Sequence, residues 1–365
     1  MYLKKLSVIS FKNIAGASME FTPGINCLVG DNGAGKTNLL DAIHYLSMSK
    51  SAFGMTDSQS LGHGAEFFVL EGGYDDGAGR SEQILCTFKP QVGKKLRRGE
   101  KEYSRASEHV GLIPVVTVAP SDSLLVSDEA EQRRRFLNGI LSQTDRDYLG
   151  AVVRYNHLLA ERNKLLKSYV SSSEELLEVL DMQLATAGDM IHTKRRELVD
   201  QITPSAGELY RRLSGDGEQV SLEYRSQLNH TTMAGLLSAS REKDVVMGFT
   251  TAGIHRDDLL MTIDGYPLRK YGSQGQQKSL LTALKLAQYL LLGRKCDTRP
   301  ILLLDDLFDK LDMQRVERLL GLVCGEEFGQ VFISDCNKLR LEELLGRCGI
   351  PHSLFGVRAG SVEAL

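Results

Sequence analysis

The feature that most constrains this chain is a glycine-rich segment, residues 30–37, which reads Gly-Asp-Asn-Gly-Ala-Gly-Lys-Thr. It fits the pattern G-x-x-x-x-G-K-[ST] at every fixed position. The apolar run Ile25–Val29 precedes it, and from Asn38 to Met48 apolar residues recur at helical spacing. Glycines let backbone N–H groups wrap a phosphate, and a helix N-terminus favours negative charge. The order of strand, glycine loop and helix therefore predicts a phosphate-binding loop rather than an ordinary glycine-rich turn.

Two side chains of this loop carry predicted chemistry. Lys36 supplies a point charge for the β- and γ-phosphates and is a candidate catalytic residue, while Thr37 offers its hydroxyl to Mg²⁺. We expect ATP and Mg²⁺ as cofactors. The loop residues expected to bind the nucleotide are Gly30, Asp31, Asn32, Gly33, Ala34, Gly35, Lys36 and Thr37.

A second candidate element is an apolar strand, Ile301–Leu304, that ends in the two carboxylates Asp305 and Asp306. With a phosphate-binding loop elsewhere in the chain, Asp305 is predicted to hold Mg²⁺. Asp306 is predicted to be catalytic, by orienting or deprotonating the attacking water. Taken alone the pattern is weak, because any buried strand that leads to a surface turn can look the same.

Composition limits the class of protein. The 365 residues are 42% hydrophobic and 25% charged, which is typical of a globular α/β protein and excludes a wholly disordered one. No apolar run approaches the about 20 residues that cross a bilayer, and six scattered cysteines with no C-x-x-C pair indicate a reducing cytoplasm. The formal net charge of −3 gives no bulk positive field, so any DNA binding needs a local patch. Lys89–Arg105, with seven basic and two acidic residues, is such a patch or a solvated hairpin.

The change of residue pattern along the chain, from strand-like to helical and back, predicts a nucleotide-binding domain that is interrupted by a helical region. Residues 1–125 read as strands and turns around the glycine loop, and residues 126–215 as a helical arm or an ordinary helical subdomain. The arm would hold two antiparallel helices, the second of about 29 residues and ended or kinked by Pro204. Residues 216–365 would complete the nucleotide-binding domain, with Val245–Thr250 among its strands.

The segment Ser273-Gln-Gly-Gln-Gln resembles the signature loop of ABC-type ATPases, in the variant of the SMC/RecF branch. The resemblance implies an ABC-type ATPase head, a P-loop mixed sheet with an antiparallel β-subdomain and an inserted helical lid or arm. It also implies that Ser273 and Gly275 contact ATP bound to the other protomer, so that ATP joins two heads into a homodimer. Asp309–Asp312 resembles the D-loop, and Phe332–Asp335 the switch strand.

Within this branch the chain resembles the RecF family along most of its length. The matching blocks are Phe11–Asn13, Gly30–Ile43, Ala119–Asp122 with Arg133–Leu137, Tyr155–Lys167, Gly253–Asp258 and Leu303–Asp306. The chain departs from the family pattern at four places. Ile254 stands where the family has a proline, Lys278 where it usually has an arginine, and Asp309 where it commonly has a serine. The segment Lys50–Phe53 lacks the arginine that the family often has there.

The resemblance implies a weak, cytoplasmic ATPase that works as a switch. It would dimerise on DNA with ATP and reset by slow hydrolysis, in replication, recombinational gap repair and SOS induction. The implied partners are single-stranded or gapped duplex DNA and recombination-mediator proteins, with no membrane. Two alternatives stay open: the ATPase subunit of a membrane transporter, and an SMC-like nuclease scaffold. His255 is an active-site group or a structural histidine, and the clusters Arg133–Arg135 and Lys194–Arg196 are expected mainly on solvated helix faces.

Overall fold

A computed structural model describes residues 1–127, 130–170, 173–215, 217–306, 312–347 and 351–365. The chain forms two compact units. The first contains Met1–Asp122, Arg212–Gly215 and Lys278–Leu365, and the second contains Ser123–Arg211 and Asp216–Gln277.

The regular elements come in runs of strands and runs of helices along the chain. The strands are β1 (Tyr2–Phe11), β2 (Ile14–Glu20), β3 (Ile25–Val29), β4 (Phe68–Asp75), β5 (Ser81–Lys89), β6 (Gly93–Arg98), β7 (Lys101–Glu102), β8 (Val115–Val118), β9 (Val220–Arg225), β10 (Asp258–Ile263), β11 (Tyr266–Pro267), β12 (Ile301–Leu304), β13 (Val331–Asp335), β14 (His352–Arg358) and β15 (Ser361–Ala364). The helices are α1 (Lys36–Met48), α2 (Leu124–Ser127), α3 (Ala130–Thr144), α4 (Arg146–Lys167), α5 (Glu174–Ser214), α6 (Met233–Met247), α7 (Leu268–Tyr271), α8 (Gln274–Lys295), α9 (Met313–Val323) and α10 (Lys338–Arg347).

A mixed sheet in the order β15-β14-β3-β13-β12-β8 organises the first unit. All neighbours in it are parallel except the edge pair β14 and β15. Every residue of β3 and of β12 is buried, as expected for apolar strands covered on both faces. Because parallel strands end at one edge of the sheet, the segments that follow β3, β12 and β13 meet there.

The same unit has a second, antiparallel sheet in the order β2-β1-β4-β5-β6-β7. Burial alternates along β4, so that one of its faces looks into the core. The core cluster combines buried residues of both sheets with α1, and aromatic rings meet in it edge to face: the Phe11 ring lies 5.7 Å from that of Tyr45 and 5.3 Å from that of Phe68. Helix α1 is thereby fixed against the core from Leu39 to Met48.

The second unit combines long helices with the small antiparallel sheet β11-β10-β9. Arg162, on α4, is fully buried and donates to the Asp181 carboxylate on α5 at 2.6 Å and to that of Asp244 on α6 at 2.7 Å. These two ion pairs join three helices of the unit.

Two predictions about local structure are wrong: that the second helix ends at Pro204, one of two alternatives beside a kink, and that Val245–Thr250 is a strand. The helix α5 continues through Pro204 to Ser214, because the apolar side chains on both sides of the proline, among them Ile202 and Leu209, are buried. Packing therefore outweighs the single backbone hydrogen bond that proline removes. The predicted strand Val245–Thr250 is instead the C-terminal turn of α6, capped by Gly248, followed by a loop.

The boundary of the helical region also differs from the predicted one. Residues 217–277 group with the helices of the second unit and not with the mixed sheet. The reason is that β9 pairs only with β10 among the described strands, so it adds a small separate sheet rather than a strand of the nucleotide-binding sheet.

Candidate functional site

The glycine-rich loop connects β3 to α1 as predicted, and its glycines are required by geometry. Gly33 and Gly35 have φ angles of 80° and 117°, which side-chain-bearing residues rarely adopt. A Cβ atom on Gly30 would lie 2.1 Å from the carbonyl oxygen of Val357, in the neighbouring strand β14. The loop can therefore be built only with glycine at these three positions.

Asn13 braces the loop from the turn between β1 and β2. Its amide nitrogen donates to the Gly33 carbonyl at 3.3 Å, and its amide oxygen accepts from the Asn38 side chain at 2.7 Å. Sequence reasoning assigned no function to this asparagine, although the Phe11–Asn13 motif contained it. The motif could have indicated its importance but not its contact with the loop.

The Lys36 ammonium lies inside the loop. Its Nζ donates to the carbonyl oxygens of Gly30 at 2.8 Å and Asp31 at 3.0 Å, and the residue is 4% exposed. Two further backbone bonds close the loop, from the Ala34 N–H to the Asp31 carbonyl at 3.2 Å and from the Gly360 N–H to the Ala34 carbonyl at 2.8 Å. The positive charge is held at the first turn of α1, and no carboxylate of the described residues pairs with its nitrogen.

Thr37 and Asp305 come together, as the predicted metal site requires. The Thr37 hydroxyl lies 3.0 Å from each carboxylate oxygen of Asp305, although 268 positions separate the two residues. The Ser334 hydroxyl, from β13, donates to Asp305 at 2.6 Å and accepts from the Asp306 N–H at 3.0 Å. Ser334 thus holds both acids in place, and it lay in the segment that sequence reasoning identified only as the switch strand.

The two acids differ in environment. Asp305 is 3% exposed, and burial raises the pKa of its carboxyl above the ordinary value, while the hydroxyls of Ser334 and Thr37 oppose this rise. Asp306 has φ of 46°, in the left-handed region that non-glycine residues seldom adopt. This turn directs Asp306 into the cavity beside the loop.

That cavity has a volume of about 450 Å³. Six of the predicted site residues line it: Asn32, Gly33, Gly35, Lys36, Thr37 and Asp306. Sequence reasoning gave no role to four further lining residues, Cys336, Asn337 and Arg340 beyond β13 and Asn38 on α1. Asp335, the last residue of the predicted switch strand, also lines it and accepts from the Asn337 N–H at 2.7 Å.

The residues present fit a nucleotide with Mg²⁺. The glycine backbone leaves room for close approach of a phosphate, Lys36 supplies the positive charge, and Thr37 and Asp305 supply the oxygen ligands that Mg²⁺ prefers. Within the described part of the chain no group of three or more His, Cys, Asp or Glu side chains could hold a metal alone. Mg²⁺ usually binds one or two carboxylates together with water and phosphate.

The signature segment belongs to the second unit and starts α8. The Ser273 hydroxyl accepts from the Gln276 N–H at 3.2 Å, and the Gln276 side chain accepts from the Ser273 N–H at 2.7 Å. Ser273 is therefore the N-cap of the helix, and its own O–H has no acceptor among the described residues. Gly275 lies in the first turn. The predicted D-loop residues Asp309–Leu311 lie outside the described residues.

The basic segment Lys89–Arg105 contains the hairpin of β6 and β7, and much of its charge is balanced. Ion pairs join Arg98 to Glu82 at 2.5 Å and Lys94 to Asp57 at 3.1 Å. Longer pairs, of 3.5 to 3.7 Å, bind Lys89 to Glu66 and Lys95 to Glu102. Contact of this segment with DNA stays a prediction.

His255 is held on both sides within the second unit. The Tyr155 hydroxyl donates to its Nδ1 at 2.9 Å, and its Nε2 donates to the Thr250 carbonyl at 3.2 Å. Burial lowers the pKa of His255 to about 4, with Arg256 and Arg134 adding to the effect, so the ring is neutral at pH 7.

A glycine loop, a threonine–aspartate pair and a second acid at one edge of a mixed sheet define a P-loop ATPase head of the ABC type. The profile of the RecF/RecN/SMC N terminal domain family matches residues 2–69. DNA replication and repair protein RecF of Parabacteroides distasonis is 47% identical over 365 residues, which are 100% of each chain. The RecF of Phocaeicola vulgatus is 43% identical over 99% of this chain and 98% of its own. The chain belongs to the RecF family.

Solved structures agree with this assignment. The recombination mediator protein RecF-ATP in the RecFOR pathway superposes with a TM-score of 0.89 at 28% identity, over 100% of this chain and 97% of that one. The Smc head domain of Pyrococcus furiosus superposes with a TM-score of 0.59 at 15% identity, over 100% and 96%, which shows the fold alone. The predicted family and fold class are confirmed. Among the described residues, no helix is long and apolar enough to cross a membrane.

Proposed function

We propose that this chain is an ATP-dependent DNA-binding protein of DNA replication and repair that acts as a switch in the cytoplasm. ATP would drive two heads together on single-stranded or gapped DNA, and slow hydrolysis would release them. Its relatives are named DNA replication and repair proteins, and a RecF with ATP is described as a recombination mediator, which supports mediator proteins as partners. Gap repair and SOS induction would be the settings of this activity. The observation that carries the proposal is the hydrogen-bonded pair of Thr37 and Asp305 beside the loop.

Binding would depend on the loop and on Lys36. The Nζ of Lys36, now bonded to two loop carbonyls, is placed to donate to the β- and γ-phosphates. Thr37 and Asp305 would hold Mg²⁺, which when bound neutralises phosphate charge. Ser334 fixes the Asp305 carboxylate at 2.6 Å and so keeps it oriented.

Hydrolysis would depend on Asp306. Its carboxylate lines the cavity, which Asp335 also lines. It would orient the attacking water or accept its proton. The left-handed backbone of Asp306 fixes the direction of that side chain, because a residue held in this region is constrained by the structure around it.

Dimerisation would depend on the signature segment. Ser273 is exposed at the N-terminus of the 22-residue helix α8, and its O–H donates to no acceptor of the described part of the chain. Such a terminus favours an anion. We infer that Ser273 and the Gly275 backbone contact ATP bound to the partner head. The two alternative functions, a transporter subunit and an SMC-like scaffold, receive no support from the full-length RecF relatives.

The test is sedimentation velocity of the full chain with ATP, with ADP and without nucleotide, each with and without gapped duplex DNA. The proposal predicts a monomer without nucleotide, a dimer with ATP, and a larger dimer fraction when gapped DNA is added. A chain that binds ATP yet stays monomeric in every arm contradicts the switch.

A further inference from the structure

A second cavity is lined wholly by residues of the second unit, and none of them is a residue assigned to ATP. Its volume is about 250 Å³, and it is lined by side chains of α3, α4 and α5 and by the short turn that carries His255. At about 30 Å³ per water molecule this space holds roughly eight waters, enough for a phosphate group and part of its hydration.

The cavity has more hydrogen-bond donors than acceptors. Arg134 donates one hydrogen bond, from Nη1 to the Asp257 carbonyl at 2.8 Å, and its other N–H groups have no partner among the described residues. The Asn138 side-chain oxygen accepts hydrogen bonds from Tyr148 at 2.6 Å and from Arg195 at 3.0 Å. The two N–H groups of the same amide have no partner within the described chain. Arg134 and Asn138, both on α3, thus bring unpaired donors to a space that Asn156 and Glu131 also line.

The charge of the cavity is unbalanced as well. Arg134, Arg135 and Arg195 line it together with one acid, Glu131, which pairs with Arg135 at 2.5 Å. Arg195 is 3% exposed and pairs with the buried Asp257 carboxylate at 3.1 Å. Arg134 has no carboxylate within ion-pair distance among the described residues.

The environment of Arg134 reflects this imbalance. Burial lowers the pKa of its guanidinium, and the charge of Arg195 adds to the effect. His255 cannot compensate, because it is neutral and both of its ring nitrogens are bonded. An anion in the cavity would relieve the repulsion between the two arginines.

We propose that this cavity binds a phosphate group, with Arg134 as its main ligand and Asn138 and Arg195 as further donors. The flat, multiply donating guanidinium suits phosphate oxygens. The phosphate comes either from a nucleic-acid backbone or from a free phosphate compound, and the chemistry of the site is the same for both. None of its lining residues belongs to the glycine loop, so it can be tested without ATP.

The first arm of the test uses inorganic phosphate alone. Phosphorus NMR titration is carried out on the full chain carrying Lys36→Ala, which weakens phosphate binding at the loop. We expect binding that Arg134→Gln weakens about tenfold or more, the effect of losing a charged hydrogen bond. Arg196→Gln is the matched control, because Arg196 is exposed, lies outside the cavity and has no ion-pair partner among the described residues.

The second arm uses DNA. Fluorescence anisotropy of the otherwise wild-type chain measures duplex and single-stranded DNA binding over a series of salt concentrations. If the phosphate belongs to the backbone, Arg134→Gln reduces the slope of log affinity against log salt by about one, and Arg196→Gln does not. If the first arm shows the loss and the slope is unchanged, the site takes a free phosphate compound.

A second variant, Asn138→Asp, tests whether a loss of binding comes from the site itself or from misfolding of the protein. The aspartate keeps the oxygen that accepts from Tyr148 and Arg195 but replaces the amide donor with a negative charge. We expect a stably folded protein, verified by its thermal melt, that has lost the same binding as Arg134→Gln. Unchanged phosphate binding and an unchanged salt slope in both variants would overturn the proposal.

Discussion

Replacing Lys36 with methionine tests the ATP-binding loop most directly. Methionine approximates the apolar stem of the lysine but removes its charge and all three N–H donors. Two of these donors now bond the carbonyl oxygens of Gly30 and Asp31, at 2.8 and 3.0 Å, so the nitrogen is already positioned where a phosphate would approach the loop. Little reorganisation would therefore precede its contact with ATP.

The size of the effect follows from the loss of one charged hydrogen bond. Such a bond contributes about 1.5–3 kcal/mol, so Lys36→Met should weaken ATP binding roughly ten- to hundredfold. ATP-driven dimerisation should disappear at nucleotide concentrations that saturate the wild type. Equilibrium titration with a fluorescent ATP analogue measures the first effect and sedimentation the second.

Lys5→Met is the matched control, because Lys5 is exposed in β1 of the same unit. The control should bind ATP as the wild type does. If Lys36→Met also binds ATP with undiminished affinity, the loop is not the nucleotide site and the reasoning fails.

Three further variants probe the acids and the helical unit. Asp306→Asn should keep ATP binding but slow single-turnover hydrolysis, because an amide fits the space and cannot accept a proton; unchanged hydrolysis would place the base elsewhere. Asp305 has a raised pKa, so ionising it costs stability as pH rises through that value. Without nucleotide, Asp305→Asn should therefore melt at a higher temperature than the wild type near pH 7, and this difference should vanish below about pH 4. The variant should also lose the stabilisation that Mg²⁺ with ATP gives the wild type. Equal melting temperatures of the two proteins at all pH values would contradict the raised pKa of Asp305. Arg162→Met should lower the free energy of unfolding, measured by urea titration, by about 3–5 kcal/mol, because Asp181 and Asp244 would lose their buried partner. An effect below about 1 kcal/mol would show that these ion pairs do not stabilise the fold.

The sequence predicted the elements whose chemistry is local. The strand, loop and helix around Gly30–Thr37 follow from glycine positions and helical spacing, and Asp305 follows from an apolar strand that ends in acids. The pairing of Thr37 with Asp305 could be expected only because the segments that follow β3 and β12 meet at one edge of the sheet. The sequence did not reveal Ser334 as the residue that holds both acids, since a serine within an apolar strand has no distinctive pattern.

Other failures come from packing that a single sequence does not record. A proline normally ends or kinks a helix, yet α5 continues through Pro204 because residues on both sides of it are buried. The cluster Arg133–Arg135 looked like a solvated helix face, but its three members differ. Arg133 pairs with Asp258 at 2.5 Å, Arg135 pairs with Glu131, and Arg134 lines a cavity. Only the tertiary contacts of each arginine separate these roles.

The central claim, that two heads share each ATP, is tested most directly by mixing two inactive variants. Ser273→Arg replaces a small donor with a bulky cation, so it should leave ATP binding by the monomer nearly intact and prevent dimerisation and hydrolysis. Asp306→Asn should bind ATP and dimerise without hydrolysis. In the mixed dimer one site has neither change, because it combines Asp306 of one protomer with Ser273 of the other.

The measurement is the ATPase rate of each variant alone and of the mixture, with sedimentation of the same samples. The account predicts no hydrolysis by either variant alone, and a mixed dimer that regains part of the wild-type rate. If Ser273→Arg dimerises and hydrolyses ATP normally by itself, the claim is contradicted and Ser273 is only the N-cap of α8.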